Sequence, residues 1–169
     1  MRPAMKILGI DCGTERTGYG IIQTDGRRHH LISYGVVRTK TADALHLRLK
    51  GIASELRQVL ASSDVDAVAV EEVFYAVNAQ SALKLAHVRG VALLLAAEAE
   101  LPIHEYSPLE VKMSVAGYGR AAKGQVQMMV RSLLGLTSSV ESSDAADALA
   151  VAICHGTRAA FVAALAGTR

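Results

Sequence analysis

The sequence predicts an α/β protein built on a five-stranded mixed sheet with helices on both faces. Three observations support this fold class. The 169 residues are 51% hydrophobic and 20% charged, which is typical of one folded domain and not of a disordered chain. Three strand-like segments precede the first helix, and the remaining strands then alternate with helices. Because such alternation requires crossover connections, the later strands are expected to pair in parallel.

Five segments are predicted to be strands. Residues 6–14 form a continuous apolar strand that ends in a turn. Residues 16–39 hold two more strands joined at Asp25–Gly26, a dipeptide typical of hairpin turns. A valine-rich strand covers residues 65–74, and the fifth strand lies at residues 101–107.

The helices are predicted from the spacing of apolar residues. Residues 42–62 carry leucine and isoleucine at the i, i+3, i+4, i+7 spacing of an amphipathic helix. The helix at residues 79–100 is apolar nearly all round from Val91 onward, so it needs cover from its own sheet or from a second subunit. Three further helices are predicted, a short one from Ser107 and two that cover residues 125–134 and 144–165.

The sequence gives no sign of a membrane or secreted protein. Its uninterrupted apolar runs, such as Val91 to Ala97, are far shorter than a membrane span, and its first residues lack the pattern of a signal peptide. The two cysteines, Cys12 and Cys154, form no CxxC motif and no disulfide framework. We therefore expect a protein of the reducing cytoplasm.

The distribution of charge is more informative than the net charge of +2. Four cations and no acid lie between residues 111 and 140: Lys112, Arg120, Lys123 and Arg131. Such a stretch suits a polyanionic partner, although a solvated basic face is the alternative. Three glycines interrupt the pattern at residues 116–124, so this segment is predicted to be a mobile loop that becomes ordered on binding.

Two carboxylates open the last predicted helix. Asp144 and Asp147 are three residues apart, so they share one face of that helix with apolar residues. Helix capping explains an acid in the first turn and hence Asp144, but it explains Asp147 poorly. The pair is therefore also a candidate for metal binding or catalysis.

Two further acids end predicted strands. Asp11 closes the first strand and Glu71 closes the valine-rich strand, although each has a plainer explanation as a turn or rim residue. If these strands are neighbours, both acids lie at the carboxyl edge of the sheet, where α/β proteins tend to place their sites. Two like charges 4 Å apart repel by about 4 kcal/mol at an effective dielectric near 20. Four converging carboxylates would therefore require divalent cations, with Mg²⁺ or Mn²⁺ favoured by the oxygen ligands.

Four segments, taken in the order in which they occur in the chain, resemble the RuvC family of bacterial Holliday-junction resolvases. They are GIDCGTERTGYG, VEEVFYAVNAQSALKLAHVRG, HEYSPLEVKMSVAGYGRAAKGQVQMMV and DAADALAVAICH. The likeness runs from about Met5 to Gly156 and skips no segment. It implies one ribonuclease-H-like domain, with residues 1–4 and about 160–169 peripheral, and a homodimer that cuts four-way DNA junctions in recombination and repair.

The resemblance also implies the roles of single residues. Asp11, Glu71, Asp144 and Asp147 would hold two Mg²⁺ ions, with Mn²⁺ as a substitute, and the products would carry a 5′-phosphate and a 3′-hydroxyl. Basic residues would contact the DNA near the cut, and Lys123 would also be catalytic. These positions are Lys112, Arg120 and Lys123. Phe74 would contact junction bases, with core packing as its alternative role. The implied partners are junction DNA and a branch-migration motor of RuvA and RuvB.

Three other interpretations remain open from the residues alone. The pattern DCGTERTG also resembles the phosphate loop of sugar kinases and actin-like ATPases, but the chain is too short for their two domains and shows no second loop. A YqgF-type nuclease shares the first strand and lacks the long match after Glu71. A junction-binding protein without catalysis would not need four acids. Cleavage in Mg²⁺ compared with EDTA distinguishes the last alternative.

Overall fold

The computed structural model describes residues 4–72 and 78–166, and its elements follow the predicted order. The strands are β1 (Met5–Asp11), β2 (Arg16–Thr24), β3 (His29–Arg38), β4 (Ala67–Glu71) and β5 (Ile103–Tyr106). The helices are α1 (Leu45–Ser63), α2 (Ala79–Glu98), α3 (Pro108–Ala116), α4 (Lys123–Leu133) and α5 (Ser143–Ala166).

The strands form one mixed sheet in the order β3-β2-β1-β4-β5. The first three strands are antiparallel neighbours, whereas β4 pairs in parallel with both β1 and β5. The register places Ile10 opposite Val70, so β1 and β4 end side by side. The predicted mixed sheet is confirmed, and the chain positions of Asp11 and Glu71 meet at its carboxyl edge.

Helices cover both faces of the sheet, as predicted. Leu8 and Val68 point to one face, where they pack in a cluster with Ile52 of α1 and Val88 of α2. Side chains of opposite parity point to the other face, where they pack with α3, α4 and α5. Burial on both faces explains why β1 and β4 are continuous apolar segments and do not alternate with polar residues.

Helix α5 lies closely across β1 and β2 because glycines face it. A Cβ atom added at Gly9 would collide with the carbonyl oxygen of Ala148, and one at Gly18 would collide with that of Asp144. The absence of side chains at these two positions lets the helix backbone approach the sheet. This close approach fixes where the first turn of α5 lies relative to the end of β1.

The β2–β3 hairpin turns where the sequence predicts. The carboxylate of Asp25 accepts hydrogen bonds from the backbone N–H groups of Arg27 and Arg28, at 2.9 and 2.8 Å. Gly26 has a positive φ of 90°, which glycine adopts without strain. The opposite end of this hairpin lies at the edge of the sheet that carries Asp11.

The predicted loop at residues 116–124 is shorter in the structure, so that prediction is wrong in its bounds. Lys123 and Gly124 belong to α4, which leaves residues 117–122 between the helices. Ala121 is 3% exposed and packs in the core with Val126, which anchors a segment that the sequence treats as unanchored. Its ordering on DNA stays a prediction.

Among the described residues, one helix is long and apolar enough to cross a membrane by length and composition alone. This helix is α5, whose most apolar stretch has a mean hydropathy of 1.6 and is half buried within the protein. Every residue from Ala148 to Gly156 is buried against the sheet and the neighbouring helices. The central position of α5 in the core accounts for its apolar composition.

Candidate active site

The structure brings the four acids of the sequence analysis to one edge of the sheet. Asp11 ends β1, Glu71 ends β4, and the first turns of α5 carry Asp144 and Asp147. All three of the other carboxylates act electrostatically on Asp11. The topology therefore gathers acids that are up to 136 positions apart in sequence, as the difference between 147 and 11 shows.

Burial and mutual repulsion disfavour negative charge at this edge. The pKa of Asp11 is raised to about 7, first by burial and then by the charges of Asp147, Glu71 and Asp144. Burial is also the main cause that raises the pKa values of Glu71 and Asp147. A site with this electrostatic character favours a bound cation.

Lys123 is one of two cations that the protein itself supplies to these acids among the described residues. Its Nζ atom lies 2.6 Å from Oδ2 of Asp147, and this hydrogen bond raises the pKa of the lysine. Lys123 and Asp147 line a cavity of about 200 Å³ together with Glu71 and Lys112. The amino end of α4 therefore places a basic side chain directly beside the acidic edge.

Asp144 has a different partner, which the sequence analysis does not predict. The Nε atom of Arg16 lies 3.0 Å from Oδ2 of Asp144, and the hydroxyl of Ser142 donates to the same oxygen at 3.4 Å. Asp144 is the second residue of α5, so the expectation that it is the capping residue is wrong. Its acid still complements the positive end of the helix dipole. Sequence reasoning could have placed Arg16 near the acids, because Arg16 begins β2 directly after the turn that follows Asp11.

The donor set fits a hard divalent cation by its chemistry. Carboxylate oxygens are the ligands that Mg²⁺ and Mn²⁺ prefer, and a bound cation would relieve the repulsion that raises the pKa of Asp11. As placed, no three His, Cys, Asp or Glu side chains within residues 4–72 and 78–166 are grouped as a complete metal site. Two of the four acids contact cations of the protein instead, since Arg16 pairs with Asp144 and Lys123 with Asp147.

The other residues that were predicted to contact DNA differ in their position relative to the acids. Lys112 on α3 lines the cavity beside Glu71. Arg120 is exposed between α3 and α4 and does not line that cavity. Phe74 lies outside the described residues, so its predicted contact with junction bases stays a prediction.

His155 lies in the core, away from the acids. Its Nδ1 atom is 2.7 Å from the hydroxyl of Tyr106, and its ring stacks on His104 with centroids 4.2 Å apart. Burial lowers the pKa of His155 to about 4, so the ring is neutral at pH 7. These contacts give His155 a structural role in the core.

The chain is similar to known proteins in both sequence and structure. The family model described as "Crossover junction endodeoxyribonuclease RuvC" matches residues 7–155. A curated relative of that description from Koribacter versatilis is 53% identical over 152 residues, which cover 89% of this chain and 92% of the relative. One from a Geobacter species is 48% identical and covers 98% of this chain and all of the relative. The structure of Thermus thermophilus RuvC in complex with a Holliday junction substrate matches with a TM-score of 0.89 and 36% identity, and covers 94% of this chain and 96% of that one.

The sheet order and the helices on both faces define the class of protein as ribonuclease-H-like. Within that class, the chain belongs to the RuvC family of crossover junction endodeoxyribonucleases. The resemblance found in the sequence is thereby confirmed. The family match also decides against the phosphate-loop kinases and the YqgF-type nucleases that shared parts of the pattern.

Proposed function

We propose that this chain resolves four-way DNA junctions by magnesium-dependent hydrolysis at Asp11, Glu71, Asp144 and Asp147. The observation that carries the proposal is the convergence of four acids at one sheet edge, where the pKa of Asp11 is raised to about 7. Family membership supports the same activity, since the relatives are crossover junction endodeoxyribonucleases. One relative was solved with a Holliday junction substrate.

The acids would hold two ions, with Mn²⁺ as an alternative to Mg²⁺. Asp11 would bind with Glu71 on one side and with the Asp144 and Asp147 pair on the other. When bound, the ions would activate a water and stabilise the leaving oxygen, which leaves a 5′-phosphate and a 3′-hydroxyl. Asp11 and Glu71 are both partly buried, which reduces their contact with bulk water and so strengthens each electrostatic interaction at this edge.

Basic residues would bind the DNA near the cut phosphate. Lys123 and Lys112 flank the acidic edge, so they are positioned to offset charge that develops on the phosphate. Lys123 has to leave Asp147 to do this, because its Nζ atom is engaged there at 2.6 Å. We include Arg120 and Phe74 as further DNA contacts on the basis of the family resemblance alone.

Replacing each acid by its amide tests the proposal. We expect Asp11→Asn, Glu71→Gln, Asp144→Asn and Asp147→Asn to abolish cutting of a synthetic mobile junction while gel shifts show retained binding. The reason is that metal ligation needs the carboxylate charge, whereas phosphate contacts come from basic residues. Glu55→Gln, an exposed change on α1, is the matched control and should cut normally. Near-normal cutting by the Asp144 and Asp147 variants would restrict that pair to a structural role.

We also propose that the chain acts as a homodimer through α2. The outer side of this helix presents Leu83, 62% exposed, and Leu94, 56% exposed. Exposed small residues, Ala86, Gly90 and Ala97, lie on the same stripe at helical spacing. A second copy would cover this apolar stripe, and two sites related by twofold symmetry suit a junction with two strands of like polarity.

We further propose that the chain is one nuclease domain that works in the cytoplasm with a branch-migration motor of RuvA and RuvB. Two free, buried cysteines are consistent with a reducing compartment. Exposure of residues 161–166 at the end of α5 supports a peripheral role for the C-terminal residues.

A further inference from the structure

A cluster of cations extends the active edge of the sheet beyond the acids. The cluster lies where β2 begins and β3 ends, at the same edge as the end of β1. We call it the β2–β3 end, and its members are Arg16, Arg38, Lys40 and Arg48. The basic segment at residues 111–140 lies on the other side of the acids, so the two basic regions are distinct.

The register of the sheet places two of these cations directly opposite each other. Arg16 of β2 pairs with Arg38 of β3, so both side chains project from the face that α5 covers. Like charges at directly opposite positions destabilise an antiparallel pair. Asp144 offsets this repulsion at Arg16, whereas Arg38 has no ion-pair partner among the described residues and is free to contact a ligand.

Within the part of the chain that the structure describes, Arg16 is the one member of this cluster that forms an ion pair with an acid. Arg38 and Lys40 are exposed, and neither forms an ion pair within the part of the chain that the structure describes. Glu15 and Asp43 are the acids nearest in sequence, and both are exposed and equally unpaired there. The acid that Arg16 does contact is Asp144, a proposed metal ligand.

Arg48 is the buried member of this cluster, and its side chain links the segment before β2 to the segment after β3. It is only 7% exposed, and its Nη2 atom donates to the carbonyl of Thr14 at 2.6 Å. Its Nε atom donates to the hydroxyl of Thr39 at 3.2 Å, and that hydroxyl donates to the same carbonyl at 2.6 Å. No carboxylate among the described residues pairs with this buried charge. Arg48 therefore fixes the segments that carry Arg16 and Arg38 and adds positive potential beneath them.

The sheet sets the distance between this cluster and the acids. β2 is one strand away from β1 and β3 is two strands away, and neighbouring strands are about 4.8 Å apart. Asp11 pairs with Gly18 and Gly18 with Val36, so Arg38 lies two residues beyond the level of Asp11. Two strand spacings across the sheet and two residues along it separate the ends of β1 and β3 by about 12 Å. Successive phosphates of one DNA strand advance about 3.4 Å along the helix axis and also rotate around it, so their direct separation is larger and this distance corresponds to roughly two nucleotides.

We infer that the β2–β3 end is a second phosphate-binding surface, which holds the backbone of a junction strand about two nucleotides from the phosphate that is cut. The inference rests on the proposed location of the active site at Asp11 and its neighbours. Its ligand is the sugar–phosphate backbone, because exposed cations without base-reading geometry bind charge and not sequence. Binding here also gives Arg16 a phosphate to contact once a metal displaces it from Asp144.

The experiment compares two doubly substituted proteins on the same hairpin. The test variant is Arg38→Gln with Lys40→Gln, and the matched control is Arg27→Gln with Arg28→Gln at the opposite turn. All four side chains are exposed, so both proteins lose the same charge, and thermal melting checks that both fold. We expect the junction dissociation constant of the test variant to rise roughly tenfold and its log–log salt slope to fall by about 2. The control should match the wild type.

Changes on the DNA locate the contact. Neutral methylphosphonates are placed singly at one to five nucleotides on either side of the cut position. We expect neutral linkages about two nucleotides away, on one side, to weaken wild-type binding and to have little further effect on the test variant. Equal weakening by both protein variants, or additive effects of protein and DNA changes at every position, would overturn the inference.

The outcome can be separated from that of the proposed function. Amide variants of the four acids report on cutting, whereas the salt slope and the methylphosphonate scan report on binding in EDTA. Loss of cutting by the acid variants with an unchanged salt slope for Arg38→Gln with Lys40→Gln would reject this surface alone. Normal cutting by the acid variants with a reduced slope would reject the active-site assignment and leave the surface without its reference point.

Discussion

His155 and Asp11 are both ionisable side chains of the central layer, and burial shifts their pKa values in opposite directions. For Asp11 the shift is upward, to about 7, and neighbouring carboxylates add to it. For His155 it is downward, to about 4, and the nearby His104 adds to it. In each case burial disfavours the charged form. A bound cation would stabilise the charged form of Asp11. His155 instead stays neutral, and its Nδ1 atom shares a hydrogen bond with the hydroxyl of Tyr106.

The lowered pKa of His155 makes stability depend on pH. The unfolded chain binds the proton at about pH 6.5 and the folded chain at about pH 4, so its contribution is complete above pH 6.5 and is lost as the pH falls toward 4. We expect a loss on the order of 3 kcal/mol from this group, since one pH unit is worth about 1.4 kcal/mol. Urea unfolding at pH 7 and at pH 4.5 measures it. His155→Asn removes the titration, so its two free energies of unfolding should differ by less, and an equal difference in both proteins would contradict the assignment.

At the scale of elements, the position of α5 decides whether the acids meet. The helix lies on β1 and β2 at glycine positions, and its first turn therefore starts beside the end of β1. Asp144 and Asp147 then reach Arg16 and Lys123 from neighbouring elements. A single methyl group added at Gly9 or Gly18 would push α5 away from the sheet and would thereby shift both Asp144 and Asp147.

A pair of glycine substitutions tests this packing. Gly18→Ala should lower the free energy of unfolding by about 1–3 kcal/mol, because the new Cβ collides with the backbone carbonyl of Asp144. Cutting should fall further than binding, since the acids move while the basic residues stay. Gly51→Ala on α1 is the control, because nothing lies within 4 Å of its added Cβ. It should gain up to about 1 kcal/mol from helix propensity. Equal stability and cutting in the two variants would show that α5 tolerates the displacement.

At the scale of the whole molecule, the two faces of the sheet have different tasks. One face carries α5 and the acidic edge, and the other is covered by α1 and α2. The outer side of α2 remains apolar and exposed, at Leu83 and Leu94. Pairing of two molecules through this stripe would leave both acidic edges open for DNA.

Changing the charge of the α2 stripe tests the dimer. We expect Leu94→Glu to halve the mass that light scattering measures after size exclusion, because an apolar interface does not tolerate a buried, unpaired carboxylate. Leu47→Glu on α1 is the matched control, since Leu47 is 51% exposed and lies outside the stripe. It should keep the mass of the wild type. A monomeric wild type, or an unchanged mass for Leu94→Glu, would refute the proposed interface.

The fold class, the order of the elements and the four candidate acids could be predicted from the sequence alone. These properties depend on local signals: apolar periodicity, turn residues such as Asp25–Gly26, and short motifs that resemble one family. Boundaries were less certain where two tendencies compete. Lys123 and Gly124 look like a loop because of the glycines, yet the buried Ala121 fixes the segment so that α4 begins at Lys123.

Only the tertiary structure decided which charges meet. Arg16 contacts Asp144, and Lys123 contacts Asp147, although these partners are 128 and 24 positions apart as the differences of their numbers show. Arg38 and Arg48 join the active edge through strand pairing and through hydrogen bonds across the sheet. Electrostatic interactions depend on distance and burial, which arise only when the chain is folded. A sequence pattern records neither quantity, and for that reason it indicated the acids and Lys123 but neither the contact of Lys123 with Asp147 nor any role for Arg16.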